Sequence, residues 1–154
     1  MNALKRMLIV LVVFLVLVVL ISMFLPSTFH VERSVVIDAD KEQVFKQVND
    51  LRNWKNWSPW AEKDSTVYLI QENYSNPSSG VGASFSWDSE NSDLGKGEMR
   101  IIASEVNHRV EYEINLSMGQ VLSAIELEEL ENGVEVSWSM DVDFGFNPIA
   151  KYFG

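Results

Sequence analysis

The chain has 154 residues, a length that favours one domain, and carries 12 basic and 22 acidic side chains for a formal charge of −10. All 22 acids follow Pro26, and the ten basic residues there leave that part at −12, which disfavours nucleic acid and anionic lipid headgroups as partners, since both need a basic face. The absence of cysteine excludes disulfides, thiolate nucleophiles and cysteine-ligated metals.

The first predicted element is an apolar segment, residues 7–25, in which Ser22 is the only polar residue. As a helix, these 19 residues span about 28 Å, close to the roughly 30 Å hydrocarbon core of a bilayer. We therefore expect an uncleaved membrane anchor. A cleaved signal peptide is the main alternative, although its apolar region is usually about 7–15 residues long. A buried core helix is a third alternative, which the lack of a polar face disfavours.

Two basic residues, Lys5 and Arg6, precede this segment. The positive-inside rule then keeps the N-terminus in the cytoplasm and places the acidic domain on the other side of the membrane. Residues 1–26 are accordingly predicted to be a cytoplasmic stub and a single transmembrane anchor.

Secondary structure resumes after Pro26. Residues 29–39 are rich in β-branched side chains and predict a first strand. Asp40 suits the N-cap of a helix over residues 41–50, which has an apolar face. Residues 51–60 predict a second short helix or turn, ended by Pro59.

The remainder of the chain predicts about six strands separated by turn signals. Clean alternation of apolar with polar residues, as in 110–116 and 134–143, gives the sheet one apolar and one wet face. Asn132-Gly133 is a strong hairpin signal. The order strand, small helices, strands indicates an α+β fold rather than a doubly wound sheet. The predicted strands are residues 65–73, 82–87, 95–106, 109–117, 121–131 and 133–144.

Residues 53–60, NWKNWSPW, hold three of the five tryptophans of the chain. A buried tryptophan removes on the order of 150–250 Å² from water, so this segment must pack on something. Three interpretations remain open: a packing anchor, the wall of a ligand pocket, or a surface that sits on a membrane or a partner protein.

A set of short motifs is spread over most of residues 26–154: Val31-Glu-Arg-Ser34, Val44-Phe45, Asn49-Asp50, Trp54, Trp57-Ser-Pro-Trp60, Gly80-Val-Gly82, Trp87 and Tyr152-Phe-Gly154. With these motifs, residues 31–60 resemble the opening of the START/Bet v 1-like (SRPBCC) superfamily, and more narrowly its bacterial, membrane-anchored polyketide cyclase-like members. The resemblance implies a helix-grip fold, in which a curved antiparallel sheet wraps a long C-terminal helix with a cavity between them.

Two consequences for the domain organisation follow from the resemblance. The C-terminal helix is missing here, so residues 27–154 are expected to be a START-like domain that is truncated at its C-terminus. The expected location is the bacterial inner membrane, crossed once, with the lipid bilayer as a partner and the domain outside the cytoplasm.

The same resemblance places the Trp-rich segment at one end of the apolar face of the sheet. The expected ligand-binding residues are the aromatic side chains of Trp57, Trp60, Phe85, Trp87 and Trp138. Neither a cofactor nor a metal is expected. His30 and His108 are the only histidines, and neither has the spacing of a metal site or of a Ser-His-Asp set.

We therefore interpret the chain as a membrane-anchored binding module for a small hydrophobic ligand, such as a lipid or a polyketide-like molecule. A cyclase- or hydrolase-type enzyme in the same fold is one alternative, although the sequence shows no catalytic constellation. A ligand-sensing or scaffold element that controls a partner domain is another.

Overall fold

The N-terminal apolar segment forms helix α1, Ala3–Ser22, in the computed structural model, which describes residues 3–22, 24, 27–117 and 119–143. Its 20 residues correspond to about 30 Å. The helix is long and apolar enough to cross a membrane, and a signal sequence would meet the same criterion. Residues 23 and 25 of the predicted span lie outside the described residues.

The rest of the described chain is built on one six-stranded antiparallel sheet in the order β1-β6-β5-β4-β3-β2. Strands β1 and β2 therefore form its two edges, and consecutive strands from β2 to β6 are neighbours. The contact pattern assigns His30–Val142 to one unit, and α1 belongs to another. The strands are β1 Thr28–Ile37, β2 Ser84–Asp88, β3 Lys96–Glu105, β4 Arg109–Leu116, β5 Gly119–Leu130 and β6 Gly133–Asp143.

The connection between the two edge strands carries the helical segments. Helix α2 buries its predicted apolar face, formed by Val44, Phe45 and Val48. The segments are α2 Lys41–Asn49, a 3₁₀ helix Leu51–Asn56, α3 Pro59–Lys63, and two 3₁₀ helices, Ser65–Leu69 and Gln71–Asn73.

The strand predicted over residues 65–73 is wrong, because this stretch forms the two short 3₁₀ helices. The Asp64 side chain accepts a hydrogen bond from the Thr66 backbone N–H at 3.0 Å and so begins a helical turn. Val67 and Tyr68 are both buried, whereas consecutive strand residues would point to opposite faces.

The predicted role of Pro59 is also wrong, since this residue begins α3 rather than ending a helix. Ser58 is the N-cap, and its hydroxyl accepts a hydrogen bond from the Trp60 N–H at 3.2 Å. Proline suits the first helical position because the N–H that it lacks would have no helical partner there.

The core lies between the helical segments and the apolar face of β2–β6. The alternation predicted for β4 is confirmed, with Val110, Tyr112 and Ile114 almost fully buried. Strand β1, by contrast, is exposed along nearly its whole length, with Val31 half-buried. One edge of the apolar face is therefore open among the described residues. Residues 144–154, on which the prediction of a missing C-terminal helix depends, lie outside the described residues.

Candidate functional site

An open apolar groove of about 680 Å³ lies where β1 and β6 meet α2 and the Trp-rich segment. We call it the β1–α2 groove. Its volume falls within the roughly 300–1,000 Å³ of typical small-molecule sites, which are mostly apolar with a few polar groups. It is lined by Arg33, Ser34, Val35, Ile37, Ala39, Gln43, Val44, Gln47, Val48, Asn56, Trp57, Pro59, Ile125, Val136 and Trp138.

Strand β1 supplies an uncovered apolar wall. Val35 is 57% exposed and Ile37 is 39% exposed, although both side chains are entirely hydrocarbon. An occupant of the groove would remove this surface from water, which stabilises a complex by about 25 cal/mol for each Å² buried. The wall is therefore suited to an apolar ligand.

Two tryptophans, Trp57 and Trp138, line the groove, with ring centroids 5.8 Å apart and planes inclined at 73°. The Trp57 indole N–H donates to the Gln47 carbonyl at 3.2 Å. The Trp138 indole N–H donates to the Ser123 hydroxyl at 2.7 Å. Because both N–H groups already have protein partners, the rings offer the groove carbon surface rather than hydrogen-bond donors.

The buried side chain of Trp54 packs against both of these tryptophans and supports them. It is completely buried, and its ring lies 4.6 Å from Trp57 and 5.9 Å from Trp138. Its indole N–H donates to the Val48 carbonyl at 3.2 Å, and Tyr112 donates its hydroxyl to the same carbonyl at 2.9 Å. The Trp-rich segment is thus fixed to the end of α2, which positions Trp57 at the groove.

The five aromatic residues expected from the sequence do not share one surface. Trp57 and Trp138 line the groove, whereas Trp60 is half-buried and packs 5.8 Å from Trp54. Phe85 and Trp87 are buried in the core, with rings stacked 5.6 Å apart. A contact between ligand and Trp60, Phe85 or Trp87 stays a prediction.

Sequence reasoning missed the aliphatic and polar part of the lining. Val35 and Ile37 carry no signal of their own, since strands everywhere contain such residues. Period-two alternation in β1 would have placed them on one face with Arg33. What brings that face to α2 is the pairing of β1 with β6, which are separated by about 100 residues.

The groove carries little charge. Among the described residues that line it, Arg33 is the one charged side chain, and none is a carboxylate, histidine or lysine. A second groove, of about 840 Å³, lies beside the β1–α2 turn and the β5–β6 hairpin, but five carboxylates and two lysines line it. That surface is unsuited to a hydrophobic molecule, so the β1–α2 groove is the better candidate.

The tyrosines whose pKa values are raised lie in the core rather than in the groove. Burial raises the pKa of Tyr68 and Tyr112, and it raises the pKa of Tyr74 to about 12. Their hydroxyl groups therefore stay protonated near neutral pH and act as hydrogen-bond donors. Within the described ranges, no cluster of three or more histidine and carboxylate side chains is placed to hold a metal ion. The described lining of the groove thus offers mainly apolar contact, a few neutral polar groups and a single cation.

The family is shown by the sequence itself. Residues 28–154 match the family described as polyketide cyclase / dehydrase and lipid transport, and the chain belongs to it. With this match, the sheet and its helices are those of the helix-grip fold of the Bet v 1-like superfamily. A comparison with curated proteins gave no match.

Solved structures share the fold at low sequence identity. The di-domain ARO/CYC protein BexL, from the BE-7585A biosynthetic pathway, is 22% identical with a TM-score of 0.58; the match covers 83% of this chain and 40% of that one. The Aha1 dimer from Colwellia psychrerythraea is 15% identical with a TM-score of 0.52, and the match covers 72% of this chain and 74% of that one. A protein from Chromobacterium violaceum is 18% identical with a TM-score of 0.52, and the match covers 82% of this chain and 88% of that one.

Proposed function

We propose that the protein is a membrane-anchored binding module that takes a small hydrophobic ligand into the β1–α2 groove. The observation that carries the proposal is the groove itself, which is lined by two tryptophans and by an exposed aliphatic strand. Binding of an apolar molecule to such a lining is favourable, because it removes apolar surface of both partners from water. Trp57 and Trp138 are the aromatic ligand contacts in this proposal.

Membrane anchorage by α1 complements that role. The helix matches the thickness of a bilayer, and Lys5 and Arg6 at its start favour an N-terminus in the cytoplasm. Residues 27–154 then face the outside of the membrane. Hydrophobic molecules concentrate in lipid, so a tethered domain would meet its ligand at the membrane surface.

The experiment uses the full chain in phosphatidylcholine nanodiscs with a neutral photoactivatable probe, the methyl ester of a diazirine-bearing dodecanoic acid. Crosslinked peptides are mapped by mass spectrometry. We expect labelling of β1, α2 and β6. Val35→Glu places a charge in the groove and should lower this labelling about tenfold, because covering a carboxylate with an apolar molecule removes it from water at high cost.

Val36→Glu is the matched control. Val36 is the next residue of β1, is 47% exposed and is not part of the groove lining. It should keep the wild-type labelling. Equal labelling of the two variants, or labelling outside the groove in the wild type, would overturn the proposal.

A cyclase-type enzyme is the second candidate, favoured by the description of the family. Aromatic ring closure needs a polarised carbonyl and a proton transfer. Among the described lining residues Arg33 is the one charged group able to polarise a carbonyl, and Ser34, Gln43, Gln47 and Asn56 are neutral hydrogen-bond donors. Conversion of a linear poly-β-ketone by the full chain, abolished by Val35→Glu and retained by Val36→Glu, would favour this candidate. Binding of the same compound without conversion would favour the binding module.

A further inference from the structure

The β1–α2 groove is chemically uneven along its length. Arg33, Val35 and Ile37 occupy alternate positions of β1 and all line the groove, so they belong to one face of the strand. The row spans about 13 Å, at roughly 3.3 Å for each residue. One end of the row is cationic and the rest is hydrocarbon.

Two contacts fix how this row lies against β6. His30 Nδ1 is 2.8 Å from an Asp141 carboxylate oxygen, and a Cβ placed on Gly133 would lie 2.3 Å from the Ile37 carbonyl oxygen. The same Cβ would lie 3.2 Å from the Asp38 Cα. Eight residues separate His30 from Asp38, and eight separate Gly133 from Asp141, so the two points fit one antiparallel register without an inserted residue. This register places Arg33 beside Trp138. The cation therefore lies at the aromatic end of the groove.

The Arg33 guanidinium has capacity left for a ligand. Its Nη1 donates a hydrogen bond to the Glu32 carbonyl at 2.7 Å, and among the described residues it makes no ion pair with a carboxylate. The chain as a whole has a charge of −10, yet the described groove lining has one cation and no anion. The described lining of the groove therefore presents an anion with one cation and no carboxylate.

We propose that the groove takes an alkyl carboxylate, with the carboxylate on Arg33 and the chain along Val35, Val136 and Ile37. A guanidinium and a carboxylate match in a planar, two-point hydrogen-bonding geometry, whereas the aliphatic row provides no partner for a polar tail. This assignment of ligand class rests on the proposed function, because it names what the same groove binds.

The test compares the photoactivatable dodecanoic acid with its methyl ester, on the full chain in phosphatidylcholine nanodiscs at pH 8. The two probes share one tail and differ in the charge of the head. In the wild type we expect the acid to label the groove about fivefold more than the ester, the gain typical of a strong exposed ion pair. High salt should reduce this preference.

Arg33→Gln should bring labelling by the acid down to that of the ester and leave the ester unchanged. Arg100→Gln is the control, since Arg100 is also an exposed strand arginine but lies on β3 outside the groove. It should keep the fivefold preference.

Equal labelling by acid and ester in the wild type, or a preference that survives Arg33→Gln, would overturn the carboxylate proposal. Labelling of the groove by the ester would leave the proposed function standing in that case. If neither probe labels the groove, both the proposed function and this inference fail.

Discussion

The last backbone carbonyls of α2 show why Trp54 and Trp57 lie three residues apart in this chain. The last carbonyls of a helix have no partners within the helix. Trp54 and Tyr112 donate to Val48, and Trp57 donates to the Gln47 carbonyl. Residues three apart lie above one another on a 3₁₀ helix, which is the form of Leu51–Asn56. The spacing thus brings two indoles to the end of α2, and packing and groove lining are two roles of one cluster.

His30 gives a prediction about pH. The hydrogen bond and the charge of Asp141 raise the pKa of His30 above 6.5, and Glu32 acts in the same direction. Because the folded pKa lies above the unfolded one, the contact stabilises the protein fully below about pH 6.5 and is lost as the pH rises through the folded pKa. Asp141→Asn should lower the pKa of His30, which NMR titration of its ring protons would follow.

Asp88→Asn is the control for that titration. Asp88 is an exposed aspartate on β2, at the other edge of the sheet, where it pairs with Lys96. This substitution should leave the pKa of His30 at its wild-type value. If Asp141→Asn shifts the titration no more than Asp88→Asn does, the ion pair does not form in solution.

At the scale of the elements, pattern predicted strands well and helical turns poorly. The alternation in β4 and β6 reflects one wet and one covered face, a property of each strand by itself. Residues 65–73 lack such alternation, and the Asp64 side chain caps the first of the two 3₁₀ helices that they form. Ser58-Pro59 is a readable helix start, since serine and proline occupy the N-cap and first positions.

Gly97 supplies a prediction about the far edge of the sheet. It faces Trp87 across the β2–β3 pairing, and a Cβ at Gly97 would lie 2.3 Å from the Trp87 ring. Gly97→Ala should therefore displace the indole and lower the free energy of unfolding by about 1–3 kcal/mol. Chemical denaturation and near-ultraviolet circular dichroism would measure the two effects.

A double substitution isolates that contact. In a Trp87→Leu background, Gly97→Ala should lose much less stability, because the clashing ring is gone. Glu98→Ala, the neighbouring position on β3, tests whether any substitution there is harmful. An equal cost of Gly97→Ala in both backgrounds would assign its effect to the backbone instead of to Trp87.

At the scale of the whole molecule, the groove depends on contacts that sequence pattern does not reveal. Trp57 and Trp138 were recognisable as candidates from aromatic density and from alternation in β6. Arg33 and the aliphatic wall were not recognisable, because their role depends on the pairing of β1 with β6, which is distant in the sequence. Conversely, Phe85 and Trp87 were equally plausible ligand contacts in the sequence. They are core residues, because the helical segments cover β2 and leave β1 open.

The orientation in the membrane is testable because the chain has no cysteine. A single cysteine at Glu90, an exposed position between β2 and β3, should react in intact bacterial cells with a membrane-impermeant maleimide. A cysteine at Ala3 should react only after lysis. The opposite pattern would place the domain in the cytoplasm, and release of a shortened chain into the soluble fraction would identify α1 as a signal peptide.

The contacts between the aromatic rings also determine the tryptophan fluorescence of the protein. All five tryptophans form one array, in which each ring centroid lies within 5.9 Å of another: Trp54 with Trp57, Trp60 and Trp138, Trp57 with Trp138, and Trp60 with Trp87. At such separations excitation passes between indoles before it is emitted. Fluorescence therefore belongs to the array and not to single residues. A molecule that touches only Trp57 would dim or shift emission from rings that it never reaches, so the unlabelled protein contains its own reporter of groove occupancy.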